Sequence, residues 1–207
     1  MVRQQIDRFF RALAHQLNRP ARVILTGASA GALWGSLRLS QDVDFAIQSV
    51  PHRRDAWQDI EAAVTRTVRL TGIPANYAED IDRWSSISFL DYQRHTLPYR
   101  RYRRLEVRLI DPAYWTIGKI ARLWPSDAED LVVVLRRRRI ALPRLLRLWA
   151  TAIRASPRSP ALTRCRQHVE SFLRSAGNQV WGKDFDSTRA IGQFHKALFR
   201  ETRQRVN

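Results

Sequence analysis

Cysteine occurs once in the 207 residues, as Cys165, methionine once and lysine three times, and 19 Asp and Glu face 36 Lys and Arg. A lone cysteine excludes an intramolecular disulfide and a cysteine-based zinc site, and it fits a reducing cytoplasm. No apolar run approaches the roughly 20 residues a membrane span needs. The stretch Met1–Arg19 mixes charges throughout and so has no signal-peptide pattern. The expectation is a cytoplasmic protein without a membrane partner. The shortage of acids leaves a net charge of +17, more than solubility requires, which points to a polyanionic partner or substrate. With lysine confined to Lys119, Lys183 and Lys196, that charge is carried by arginine, whose planar fork suits bidentate contact with phosphate. An arginine-rich proteome is the plainer source of the same bias. The five histidines, His15, His52, His95, His168 and His195, are scattered and suggest neither a metal nor a nucleophile site.

An apolar content of 44% in a chain of this length allows one large or two small domains with a real core. Helical spacing predicts helices over 2–18, 30–37, 54–67, 113–124 and 126–139, with Ser126 and Glu129 at capping-box spacing at the start of the last. Strands are predicted at Val23–Leu25, around Asp42–Ile47 and over Leu105–Ile110, with a short one at Ser88–Leu90. The acidic stretch Ala75–Ser86 reads as a helix if it is regular at all. From Leu142 the composition changes to helical segments divided by Pro, Gly and Ser: 143–155, 161–175 and 187–203. The predicted class is α+β: a mixed sheet flanked by helices over residues 1–140, followed by a C-terminal helical bundle over 141–207.

The organising stretch is Val23–Ile47, which reads as strand, glycine turn, short helix and second strand. Alternate side chains of a strand share a face, so Asp42 and Asp44 are expected to point together while Val43, Phe45 and Ile47 point into the core. Two carboxylates held that way suit a hard cation, magnesium above all. A glycine turn entering a helix offers free N–H groups to phosphate oxygens, here at Gly27, Ala28 and Ser29. The turn has neither Rossmann spacing nor a Walker lysine. Phosphate donors followed by a carboxylate pair describe a site for a nucleoside triphosphate with its magnesium. The plainer reading of the two acids is a polar strand end.

Two cationic stretches complete the inventory. Arg100, Arg101, Arg103 and Arg104 alternate with Tyr99 and Tyr102, a pattern that can pair with phosphates and stack on bases or be a solvated sheet edge. Arg136, Arg137, Arg138 and Arg139 close a predicted helix, where they complement its dipole and could also hold a nucleic-acid backbone.

The spaced set Gly27-Ala28-Ser29-Ala30, then Gly35, Arg38, Ser40, Asp42, Val43 and Asp44, resembles the DNA polymerase β-like nucleotidyltransferase superfamily. Within it the set is nearest the abortive-infection-type (type IV toxin) branch. Lys119-Ile120-Ala121-Arg122 followed by Asp127-Ala128-Glu129-Asp130 looks like that branch's later lysine helix and acidic segment. Two departures stand out: Ala28 replaces the second glycine, and the third carboxylate is supplied only by Glu106, which is equally placed to pair with Arg104 or Arg108. The resemblance implies a nucleotidyltransferase-type sheet and transfer of a nucleotide from an NTP to an RNA, tRNA favoured, as a toxin with a cognate antitoxin or in phage defence. It implies two magnesium ions on Asp42, Asp44 and Glu106, and nucleotide contacts from Gly27, Ala28, Ser29, Arg38 and Ser40. Lys119 would face the triphosphate, oriented by Asp127 or Asp130, although acids in a first helical turn are also ordinary dipole partners. The alternatives are an inactive nucleic-acid-binding protein of the same fold and nucleotide transfer to a protein.

Overall fold

Ile6, Phe9, Phe10, Leu13 and Ala14 recur at helical spacing, and they form the buried stripe of α1 (Arg3–Gln16). Val23, Leu25, Phe45, Ile47 and Val107 recur at strand spacing and are all fully buried. These two patterns build a mixed sheet with helices, an α+β architecture, in a computed structural model that describes residues 3–36 and 40–199, the side chain of Arg54 excepted.

The chain divides into two compact units, Met1–Arg83 with Asp91–Asp111, and Trp84–Leu90 with Pro112–Asn207. In the first, strands β1 (Ala21–Leu25), β2 (Val43–Ser49), β3 (Ala75–Ala78), β4 (Thr96–Tyr102) and β5 (Leu105–Ile110) lie in the order β3-β2-β1-β5-β4. β1 runs antiparallel to β2 and parallel to β5, with Leu25 level with both Phe45 and Leu109. The helices α2 (Gly27–Trp34) and α3 (Trp57–Thr71) complete the unit. Phe45 is the centre of its core: its ring lies 5.3 Å from Phe10, 5.8 Å from Phe9 and stacks on Tyr77 at 5.7 Å.

The second unit contains α4 (Pro112–Arg122), α5 (Pro125–Arg138), α6 (Leu142–Ala155), α7 (Pro160–Trp181) and α8 (Ser187–Phe199). Trp149 of α6 is buried against Phe172 and donates its indole N–H to Thr116 of α4 at 2.8 Å. His168 of α7 reaches the carbonyls of Ile120 and Ala121 that α4 leaves open at its end. These contacts explain why the division falls after Asp111 and not at residue 140: the buried stripe of α4 packs on the later helices.

Three expected elements differ. Ala75–Ala78 is a strand because it adds to β2 in parallel, Phe45 level with Tyr77. Ser88–Leu90 forms no strand, and the Ser88 amide instead donates to the hydroxyl of Ser156, the residue that caps α6, at 2.8 Å. α7 continues through Gly177, whose missing side chain makes room for Phe185; a Cβ there would lie 2.0 Å from the Phe185 ring.

Truncating the aromatic centre of the first unit, Phe45→Ala, should cost about 3–5 kcal/mol. Chemical denaturation of variant and parent, followed by far-UV circular dichroism, measures the difference.

Candidate functional site

The chain leaves β1 at Thr26, whose amide donates to the Asp44 carbonyl at 3.1 Å, and turns at once into α2. That geometry sets the first turn of α2 beside the Asp44 side chain. The Ala28 amide donates to Asp44 Oδ2 at 2.9 Å, and Asn76 Nδ2 donates to Oδ1 at 3.1 Å from the neighbouring level of β3. Gly27 is demanded on two counts. Its φ is +53°, and a Cβ at that position would lie 2.4 Å from Asp44 Oδ2.

Ser29 is fully buried; its hydroxyl accepts the Asp44 amide at 3.0 Å and donates to the Asp42 carbonyl at 3.2 Å. Ser40 Oγ donates to Asp42 Oδ1 at 2.8 Å. Gly27, Ala28, Ser29 and Ser40 therefore do converge on Asp42 and Asp44, as their spacing suggests. Their role differs from the expected one: the Ala28 amide and the Ser29 hydroxyl hold β2 instead of standing free for phosphate. A helix N-terminus attracts an anion, and here that anion is Asp44. Asp42 precedes β2, and Arg38 lies outside the described residues.

Burial raises the Asp44 carboxyl above its ordinary 3.8, with the negative charge of Asp42 adding to the effect; hydrogen bonds from Asn76, Ala28 and Ser29 pull the other way. The folded protein thus holds this proton more tightly than the unfolded chain. Stability falls as pH climbs from 3.8 through the raised value, unless a cation offsets the paired charges.

Glu106 shares the face of Asp44 but sits toward the other end of the sheet. It is level with Arg22, whereas Asp44 lies one step beyond the Phe45–Leu25–Leu109 row. The separation along the strands is four residues, about 13 Å. On β5 the positions nearer Asp44 on that face are Arg108 and Ile110, neither of them an acid. Glu106 is instead clamped by Arg108 at 2.8 Å and Arg22 at 2.9 Å, which hold its carboxyl below the usual range, Arg108 most strongly. The expectation of a third metal carboxylate at Glu106 is corrected to an ion-pair partner. Among the described residues no group of three or more His, Cys, Asp and Glu is placed to hold a metal ion.

In the helical unit Lys119, Asp127 and Asp130 do meet. Lys119 Nζ donates to Asp127 Oδ1 at 2.9 Å and Asp130 Oδ2 at 2.7 Å, and all three residues are at most 3 % exposed. The ammonium also lies 5.2 Å from the centre of the Trp115 ring, and Arg122 forks onto Asp127 at 2.9 and 3.0 Å. Burial works to raise the Asp127 carboxyl, but the Arg122 bonds and the Lys119 charge outweigh it and hold it below 3.8. Its stabilisation is complete above pH 3.8 and is lost as pH falls through the depressed value. Two positive and two negative groups so arranged lock the end of α4 to the start of α5 and leave Lys119 with its charge already matched.

The edge strand β4 is less cationic in effect than in sequence. Arg100 pairs with Asp7 at 3.0 Å, Arg103 bonds His15 and Arg104 bonds the Asn18 carbonyl; Arg101 is exposed and has no partner among the described residues. Asp7 also accepts the hydroxyls of Tyr99 and Tyr102. Arg136, Arg137, Arg138 and Arg139 are all exposed at the end of α5. Sequence reasoning missed Asn76 and Arg122 as partners of the key acids. Asn76 carries no local signal because strand pairing alone brings it to Asp44, whereas Arg122 could have been suspected from its position five residues before Asp127.

No family model, no curated protein and no solved structure matches the chain.

Two substitutions probe these arrangements. Gly27→Ala should destabilise the protein by about 1–3 kcal/mol, through the left-handed φ and the collision with Asp44. Thermal unfolding of that variant and of its pairing with Asp44→Gly, which should recover part of the loss, measures the contact. Lys119→Met removes the buried cation that Asp127 and Asp130 share, leaves Arg122 as the basic partner on Asp127, and should cost about 3–5 kcal/mol by urea denaturation.

Proposed function

We propose that the chain is a metal-dependent nucleotidyltransferase that moves a nucleotide from an NTP to an RNA acceptor, tRNA favoured, in a toxin–antitoxin or phage-defence setting. The observation that carries the reading is the placement of Asp42 and Asp44 at the turn between β1 and α2. There burial and like charge leave Asp44 short of a cation. The residues present fit magnesium held mainly through substrate. A carboxylate offers about four lone-pair sites, of which Ala28, Asn76 and the Ser29 backbone occupy three on Asp44. Magnesium commonly takes only one or two carboxylates, with phosphates and water completing its shell.

Asp42 and Asp44 would hold the ion, which would neutralise the triphosphate and lower the pKa of the attacking hydroxyl. The hydroxyl attacks the α-phosphorus, the bond to the β-phosphate oxygen breaks, and pyrophosphate leaves. Glu106 has no part in this scheme, so one ion is the natural stoichiometry for the protein's own carboxylates. Lys119, Asp127 and Asp130 act in it by fixing α4 against α5. The toxin setting rests on the sequence resemblance.

One observation favours a second reading, a nucleic-acid-binding protein without catalysis. The Ala28 amide and the Ser29 hydroxyl are already used within the fold, and so is Glu106.

Incubation of the purified chain with each labelled triphosphate, magnesium and total RNA separates the two. Transfer of label to RNA from at least one triphosphate, lost in Asp42→Ala while the melting temperature holds, is the expected result. No transfer from any triphosphate, together with RNA binding indifferent to Asp42→Ala, would establish the second reading.

A further inference from the structure

The excess charge is unevenly divided. The helical unit carries 19 Lys and Arg against 7 Asp and Glu, and the sheet unit 17 against 12. Within the sheet unit much of it is matched, since Arg100 meets Asp7 while Arg22 and Arg108 share Glu106. Within the helical unit α6 and α8 pack together and leave between them an open cleft of about 360 Å³. Arg147, Thr151, Arg154, Gln193 and Lys196 supply its polar lining, and among the described residues no acid lines it. Asp184 and Asp186 line the adjoining depression past Pro143 and Gln193, so the cationic end is the one bounded by Arg147, Arg154 and Lys196.

We infer that this cleft seats the phosphodiester backbone of a nucleic acid. Arg147, Thr151 and Arg154 fall at i, i+4 and i+7, one face of α6 over about 10 Å, opposite the buried Leu145, Trp149, Ala152 and Ile153. Arg154 is tethered by the Ala197 carbonyl and by Thr151 Oγ1 at 3.1 Å, so its guanidinium is held at the cleft instead of ranging through solvent. Arg147 and Lys196 are exposed and have no partner among the described residues, which leaves two cations free to displace counterions from phosphates. The cleft binds through charge and hydrogen bonds, with no aromatic platform among the described residues that line it, so it holds backbone and reads no bases. The inference does not rest on the transferase reading; it names a surface that would hold the acceptor of that reading, and equally the ligand of a non-catalytic binder.

The test is fluorescence anisotropy with a labelled 20-nucleotide single-stranded RNA and the DNA of the same sequence, across a series of salt concentrations, on the full chain. Arg147→Gln with Lys196→Gln removes two unpartnered exposed cations. Arg158→Gln with Arg164→Gln removes two exposed cations of the same unit outside the cleft and serves as the charge-matched control. The cleft variant should bind at least tenfold more weakly at moderate salt. The slope of log affinity against log salt should become shallower by about 1.4 for a single strand. The control should lose less than half as much on both measures. Loss on both RNA and DNA identifies backbone recognition as the common chemistry, and loss on one alone identifies which nucleic acid the cleft takes. An unchanged cleft variant, or a control that loses as much, would overturn the inference. Asp42→Ala, measured in parallel, should keep full affinity whether or not the chain transfers label, so failure of either idea leaves the other readable.

Discussion

The contact between Asp44 and the first turn of α2 is the constraint on which the sheet unit's candidate site depends. It forces glycine at residue 27, since any side chain would occupy the space of the carboxylate. It uses the Ala28 amide, and the register of β3 then completes the carboxylate's shell with Asn76. Ser29 adds a second tie by bridging the backbone of Asp42 and Asp44. A helix start, two strands and the paired acids are thereby held as one piece. The same contact limits the chemistry, because groups that could receive phosphate already serve the fold.

Charge is treated differently in the two units. In the sheet unit individual arginines are absorbed by individual acids, with Asp7 and Glu106 each serving more than one partner. In the helical unit Lys119, Arg122, Asp127 and Asp130 form a self-neutral cluster in which all but Arg122 are buried, and Arg136, Arg137 and Arg139 at the end of α5 and Arg147 on α6 lie exposed. Exposed ion pairs of the first kind contribute little to stability, whereas breaking a buried set of the second kind is costly. Surplus positive charge therefore belongs mainly to the helical unit.

Much of this was legible residue by residue. The alternation of Leu105, Val107 and Leu109 with Glu106 and Arg108 identified β5 and its faces, and the resemblance of Lys119–Asp130 to a lysine helix with an acidic segment associated residues that do meet. Glu106 was misjudged because strand alternation gives the face of a residue but not its level along the sheet. Ala75–Ala78 was misjudged because four residues of mixed polarity become a strand only when a neighbour such as β2 offers its edge. The boundary at 140 followed a change in composition, whereas the packing of Trp149 and His168 onto α4 draws it at Asp111.

The sequence by itself determined the local elements, the α+β class, the closeness of Asp42 to Asp44 and the net charge, because periodicity, spacing and composition act over a few residues or over the whole chain. Only the tertiary structure decided which groups stay available. Register separates Glu106 from Asp44, Asp7 silences Arg100, and the pairing of α6 with α8 gathers Arg147, Arg154 and Lys196. Those outcomes depend on contacts between residues distant in the chain, and a hydrogen bond or ion pair made within the fold removes a group from the chemistry its sequence context suggests.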